Sequence, residues 1–204
     1  DGSKDGTEEA AGLADQLVVL PRNQGKGSAL RNGVGKSNGR IVAFTDADLA
    51  YSPSQIFDLL VQVENGYDWV VGNRHHVGTR TIVKAGFIRG IGGRLVNFAT
   101  HLLLLGQYRD TQCGLKAFRS DVAKSLFSSS TINGFAFDVE LFHLAERWRL
   151  SLSEIPVEVE HSERTTVRVV QDGFRLLRDL IHVRRLASQG SYPVDPQLPK
   201  ASKV

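Results

Sequence analysis

The chain has 204 residues, 41% of them apolar and 23% charged, and a net charge of +3. This is the composition of a soluble globular protein, one domain or one domain with a small appendage, able to bury a sizeable core. The charge is too small to argue for a nucleic-acid partner, and the single Cys113 excludes an internal disulfide and fits a reducing compartment. No run reaches the ~18 apolar residues that a membrane span needs. The densest stretch, Leu95 to Leu105, is short and contains Asn97 and His101. No signal peptide is visible.

The chain opens on Asp1-Gly2-Ser3, a turn-like tripeptide, as if it began inside a loop. Asp5 and Glu8 have capping-box spacing and predict a short helix to about Asp15. Gln16 to Leu20 reads as a strand closed by Pro21. After Asn23-Gln24-Gly25-Lys26-Gly27 comes a helix from about Ser28 to Lys36. A strand from Arg40 to Thr45 follows. Ser52-Pro53 starts a helix that runs to Glu64 and stops at Asn65-Gly66. Tyr67 to Val71 is another strand. This alternation predicts an α/β sheet of mostly parallel strands flanked by helices.

Residues 73–85 are polar and irregular, and 86–105 read as an apolar helix carrying Arg89 and Arg94. Asp110 to Arg119 is a loop entering a short strand. Ala136 to Arg149 is a helix with Asp138 and Glu140 near its start. In Leu152 to Val159, Ile155, Val157 and Val159 alternate onto one face, which predicts a half-buried strand. Asp172 to Ala187 is a basic amphipathic helix, and residues 188–204 form a disordered tail.

Ile41 to Leu49, IVAFTDADL, is the stretch around which these elements are organised. Its apolar run ends in two carboxylates one residue apart. If the extended backbone persists through Ala47, Asp46 and Asp48 point the same way, at the strand end where open α/β sheets bind ligands. Two hard oxygen ligands there suit Mg²⁺ or Mn²⁺ carrying phosphates. The bland reading is a solvated turn. Asn23 to Gly27 lies between a strand and a helix, where two glycines allow backbone amides to approach a phosphate and Lys26 adds charge; the alternative is an ordinary glycine turn. Arg74, after a strand, is in reach of a pyrophosphate or simply solvated. Gly35-Lys36-Ser37 fails as a P-loop, because Leu30 stands where a glycine is required.

DGSKDGT at 1–7, NQGKGSALRNGV at 23–34, DADL at 46–49, VGNR at 71–74, RDTQCGLKAF at 109–118 and FAFDVEL at 135–141 occur in one order. Together they resemble family 2 glycosyltransferases of the GT-A fold, a Rossmann-like α/β architecture. Within that family the pattern is similar to the dolichyl-phosphate glucosyltransferase and dolichol-phosphate mannose synthase group. RDTQCG followed by AFDVEL leans to the glucosyltransferase branch. The resemblance covers residues 1 to about 187.

The resemblance implies inverting transfer of glucose from UDP-glucose to a polyprenyl phosphate, with Mg²⁺ or Mn²⁺ as cofactor. Asp1 matches a nucleoside contact, with Lys26, Ala47 and Gln112 on the nucleotide-sugar side. Asp46 and Asp48 match the DxD motif and its metal. Arg74 and Arg89 match basic residues near the diphosphate or acceptor phosphate. Arg109, Asp110, Gln112 and Lys116 match the sugar and acceptor region, and Arg168 is a further candidate for the acceptor phosphate. Asp138 and Glu140 match an acidic helix start that closes the site. The family begins with a strand and a nucleotide-binding loop that are absent here, so the chain resembles an N-terminally truncated member. Ala50 stands where mannose synthases often place Gln.

A phosphate acceptor is already anionic, so Asp138 need not be a base and can instead orient Arg or Lys side chains or bind the sugar. A lipid acceptor places the protein peripherally on the cytoplasmic face of a membrane, through the apolar faces of Phe87 to Leu105 and Phe174 to Leu186; the alternative is that both helices pack on the sheet. The alternatives are mannosyl transfer from GDP-mannose, a soluble acceptor, or a nucleotide-binding remnant without turnover.

Overall fold

Four strands make the main sheet of the computed structural model, which describes residues 1–81, 108, 110–160, 169–193 and 198. They are β1 (Ile41–Phe44), β2 (Trp69–Asn73), β4 (Lys116–Arg119) and β5 (Leu152–Pro156), in the order β1-β4-β2-β5. β2 and β5 pair in parallel, whereas β4 runs against both β1 and β2. Three strands therefore share one direction, as the alternation of elements predicts, and β4 is inserted between two of them. A second, two-stranded parallel sheet joins β3 (Arg80–Thr81) to β6 (Glu158–Val159).

Alternate residues of the central strands enter two different cores. Trp69, Val71 and Phe118 face a large aromatic core with Phe127, Phe137, Phe142 and Leu180. Val70 and Ala117 face a smaller one with Leu59, Val63, Cys113 and Leu115. The larger core is roofed by α2 (Lys26–Lys36), α4 (Ser120–Ser129), α5 (Phe137–Arg147) and α6 (Val169–Ser188), the smaller by α3 (Ile56–Glu64). Covering both faces is what lets β2 be buried at every residue. Val157 and Val159 are buried in the smaller core and Ile155 packs on it, as the alternation predicts, although the strand breaks at Val157 into β5 and β6.

Several expectations are corrected. The first helix is only α1 (Thr7–Ala10) plus a 3₁₀ turn at Ala11–Leu13, with Asp5 accepting the Thr7 N–H outside it. Gln16 to Leu20 belongs to no sheet among the described residues, and Leu17 and Val19 stay about half exposed. An apolar run alone does not make a strand where no partner strand covers it. The tail is not loose where it begins: Tyr192 is buried, and its hydroxyl donates to Glu140 at 2.9 Å. Arg89, Arg109, Arg168, Phe87 to Leu105 and residues 199–204 lie outside the described residues. No helix among the described residues is long and apolar enough to cross a membrane.

Candidate active site

β1 ends at Phe44, and the chain turns at once, closed by Leu49 N–H donating to the Asp46 carbonyl at 3.1 Å. Extended backbone does not persist through Ala47, so Asp46 and Asp48 are presented by a turn and not by strand alternation. The Asp48 carboxylate accepts the Ala50 N–H at 3.1 Å, and Asp48 is exposed. Leu49 has a φ of 52°, in the left-handed region that a side chain adopts at a cost. Local strain therefore sits on the carboxylate turn.

Asp46 is held from two sides. Lys26 Nζ lies 2.5 Å from its Oδ1. On the other side the carboxylate rests against Gly114, where a Cβ would fall 2.0 Å from Asp46 Oδ2. Burial works against the Lys26 charge, yet Asp138 and Asp46 hold its pKa above the usual lysine value. Behind Lys26 lies Asp138, which is buried and pairs with the buried Lys116 at 2.7 Å. Burial pushes the Asp138 carboxyl up in spite of the two lysines. Lys116 also donates to the carbonyls of Cys113, at 2.5 Å, and Thr111, at 3.3 Å, and so fixes the loop that carries Gly114.

Arg74 makes a two-pronged pair with Asp110, Nε to Oδ2 at 2.8 Å and Nη2 to Oδ1 at 2.7 Å. Asp110 is fully buried, and burial opposes its charge, but Arg74 outweighs that and holds the carboxyl below its usual value. Arg74 is raised in turn by Asp110 despite its own burial. Asp110 also accepts the Gln112 N–H at 3.3 Å, and the Gln112 side chain donates to the Phe135 carbonyl at 3.4 Å.

The glycine loop does something other than the sequence suggests. Asp1 accepts the N–H of Gln24 at 2.8 Å and of Gly25 at 2.9 Å. The Asn133 carbonyl accepts the N–H of Gly27 at 2.8 Å and of Ser28 at 3.3 Å, capping α2. These amides are already spent within the protein, which corrects their reading as a phosphate cradle. Gly25 and Gly27 are needed because the Ile132 and Asn133 backbone approaches too closely for a Cβ, to 2.4 and 2.5 Å. Arg31 clamps the same loop through Asn133 Oδ1, Ser130 Oγ and the Ile132 carbonyl. From the far side Glu140, fully buried, accepts the N–H groups of Thr131 and Ile132, the Thr131 hydroxyl and Tyr192.

Between this loop and α6 lies a cleft of about 1040 Å³, lined by Asp1, Gln24 and Lys26 on one wall and by Arg178, Asp179 and His182 on the other.

The sequence profile of glycosyl transferase family 2 matches residues 1–127. The chain belongs to this family. Among its relatives are a dolichyl-phosphate beta-glucosyltransferase of Drosophila melanogaster, 33% identical over 92% of this chain and 64% of that protein. A human protein of the same name is 28% identical over 96% of this chain and 64% of its own length. The chain thus spans a little under two thirds of the length of these relatives. Glucosyl-3-phosphoglycerate synthase from Mycobacterium tuberculosis, solved with Mn²⁺, UDP-glucose and phosphoglyceric acid, superposes with a TM-score of 0.61 at 22% identity, covering 94% of this chain and 67% of that one. That likeness is one of fold, and it identifies the sheet as GT-A-like.

Against this family background, the structure brings Lys26 to Asp46, Asp138 to Lys116 and Arg74 to Asp110. Lys116, expected at the acceptor, is corrected: its ammonium is sealed in the protein, and its contacts there brace a loop. Glu140 likewise is a structural anchor. Asp138 is too buried to meet a substrate freely and acts on Lys26 and Lys116. Sequence reasoning missed Gly114, Arg31, Asn133 and Tyr192. Gly114 and Arg31 carried a signal, lying within RDTQCGLKAF and NQGKGSALRNGV; Asn133 and Tyr192 carried none.

Among the described residues, Asp46 and Asp48 are the candidates to hold a divalent cation. Both offer hard oxygens, as Mg²⁺ and Mn²⁺ prefer. No cluster of three or more His, Cys, Asp or Glu side chains stands ready for a metal among the described residues. The donor set therefore fits a cation that completes its shell with ligand oxygens.

Proposed function

We propose that this chain forms the transfer domain of an inverting glycosyltransferase that moves glucose from UDP-glucose to a polyprenyl phosphate. The observation that carries the reading is the carboxylate turn after β1, with Asp46 braced between Lys26 and Gly114 and Asp48 exposed beside it. The names of the fruit-fly and human relatives support the sugar and the acceptor class.

In this reading an oxygen of the acceptor phosphate attacks the anomeric carbon from the side opposite the diphosphate. The bond from that carbon to the diphosphate oxygen breaks, and the nucleoside diphosphate leaves with the electron pair. The attacking oxygen is anionic near neutral pH, so no base is required. That is consistent with an Asp138 buried against Lys116. Asp46 and Asp48 would hold a divalent cation, which would supply Lewis-acid stabilisation of the departing diphosphate. Lys26 adds a fixed positive charge beside it, kept protonated by Asp138 and Asp46. Asp1 orders the Gln24–Gly25 backbone beside the donor. Arg74, locked by Asp110, contributes a fixed charge, and Arg89, Arg109 and Arg168 remain candidates for the acceptor phosphate.

A polyprenyl acceptor stays in a bilayer, so in this reading the chain meets the membrane surface, which we take to be the cytoplasmic face. The outer flank of α6 supports this. Leu177 (43% exposed) and Ile181 (55%) form an apolar strip among exposed Arg178, Arg184 and Arg185. Leu180, three residues from Leu177, is buried instead, which narrows the strip the sequence suggests.

The test is transfer of radiolabelled sugar from UDP-glucose and, in parallel, from GDP-mannose to a polyprenyl phosphate in anionic vesicles. Glucosyl transfer that needs a divalent ion is expected. Transfer from GDP-mannose only would replace the donor, and transfer to a soluble sugar but to no lipid phosphate would overturn the acceptor.

A further inference from the structure

α6 presents three different sides. Leu176, Leu180 and Val183 are buried in the core. A second side, with Arg178, Asp179 and His182, lines the cleft opposite Asp1, Gln24 and Lys26. The third carries the exposed Leu177 and Ile181. At about 100° of rotation per residue, Arg178 falls on the border between the cleft side and the apolar side. An apolar strip and a charged cleft thus meet along one helix, with a guanidinium on the boundary.

The charges in the cleft are not evenly available. Asp1 is engaged by the N–H groups of Gln24 and Gly25. Asp179, whose side chain is only 14% exposed, pairs at 3.3 Å with Arg178, whose side chain is 78% exposed and stands open to the cleft. Lys26 stands on the opposite wall, bonded to Asp46. An anion in the cleft would sit with Arg178 and His182 on one side, and one side chain away from the carboxylate turn on the other. The cleft, about 1040 Å³, is larger than a phosphate requires and is of the size that takes an organic ligand.

We propose that this cleft receives the head of a lipid monophosphate, with Arg178 and His182 contacting the phosphate and the Leu177–Ile181 strip carrying the first part of the apolar chain. The proposal rests on the transfer reading for the nature of the acceptor, and adds where it enters and which residues meet it. A lipid phosphate is the occupant, and a free phosphate is not, because Arg178 borders an apolar strip, Leu177 and Ile181, that a small ion does not use. α6 is then both the contact with the bilayer and the doorstep of the site. The phosphate leaves the membrane surface over Arg178 and arrives beside Lys26.

The test is calorimetric titration of the full chain with farnesyl phosphate, inorganic phosphate and farnesol, alongside UDP with Mn²⁺. Farnesyl phosphate is expected to bind more tightly than either fragment. The double substitution Arg178→Glu, His182→Ala should weaken it by about tenfold or more, the worth of one charge-assisted hydrogen bond, and by clearly more than it weakens UDP, whose contacts lie on the opposite wall and at the carboxylate turn. Leu177→Asp with Ile181→Asp should weaken farnesyl phosphate and leave inorganic phosphate unchanged. These positions are exposed, so melting temperatures should stay near the parent value. If the Arg178/His182 variant binds farnesyl phosphate as well as the parent chain does, the cleft is not the entry, whatever the fate of the transfer reading. Equal affinity for inorganic and farnesyl phosphate would also overturn the proposal. Failure of the parent chain to bind farnesyl phosphate while still binding UDP would overturn the proposal together with the acceptor half of the reading. Failure to bind UDP would remove the donor half alone.

Discussion

Gly114→Ala asks whether the position of one carboxylate governs the site. The added methyl would lie 2.0 Å from Asp46 Oδ2 and 2.4 Å from its Cγ. A carbon and an oxygen at ordinary contact are about 3.3 Å apart, so something must move by more than about 1 Å. The backbone at 114 is the less able to yield. Lys116 ties down the carbonyls of Thr111 and Cys113, and the Leu115 carbonyl accepts Gly72 N–H at 2.9 Å. Asp46 sits in a turn and gives way. Its pair with Lys26 is about one third exposed, so loosening it costs only about 1 kcal/mol of stability. A misplacement of about 1 Å in a reacting site, by contrast, can cost about a hundredfold in turnover. We therefore expect Gly114→Ala to melt within a few degrees of the parent chain and to lose about a hundredfold in kcat/KM for glucosyl transfer. Mn²⁺-dependent UDP binding should weaken alongside. A variant that folds and retains full transfer and UDP affinity would show that Asp46 is not the governing carboxylate.

Glu140→Ala should lower stability by about 3 kcal/mol in urea unfolding, since it strands the buried N–H groups of Thr131 and Ile132 and the Tyr192 hydroxyl; Tyr192→Phe should cost about 1.5 kcal/mol. The Asp110 carboxyl is held below its ordinary 3.8 by Arg74, so its contribution to stability is full above that value and is lost as pH falls through the lower folded value. Asp110→Asn should therefore flatten the acid limb of the stability profile while lowering stability at pH 7; an unchanged acid limb would refute this. Mn²⁺ should bind weakly to the free chain and more tightly with UDP present, because the carboxylate turn offers few protein ligands; tight binding without nucleotide, or transfer unaffected by Asp48→Ala, would count against it.

What could be read in the sequence was order and spacing. The strand before Asp46, the helix after Gly25, the face shared by Val157 and Val159 and the acidic start of α5 are local patterns, and the structure carries them. What could not be read was partnership across the chain. Lys116 looks like any cation near a binding loop until Asp138 and two carbonyls close around it. The glycines at 25 and 27 signal close approach, but a sequence does not say whether phosphate or the Asn133 backbone approaches. β4 lies antiparallel to β1 and β2, and neither its hydrophobic pattern nor its length states the direction. Gln16 to Leu20 has strand composition and no strand to pair with among the described residues.

The cap on α2 has a consequence for synthesis. Arg31 and Asn133 are 102 residues apart, and Tyr192 lies 52 residues beyond Glu140. A ribosome adding about 5–20 residues per second releases the glycine loop many seconds before the segment that caps it. Until Asn133 emerges, the first amides of α2 face water, and until Tyr192 follows, Glu140 lacks one of its donors. The wall of the cleft is thus among the last parts to be finished, and its closure must repay the entropy of a long loop. A nascent chain would hold its sheet before it held its substrate.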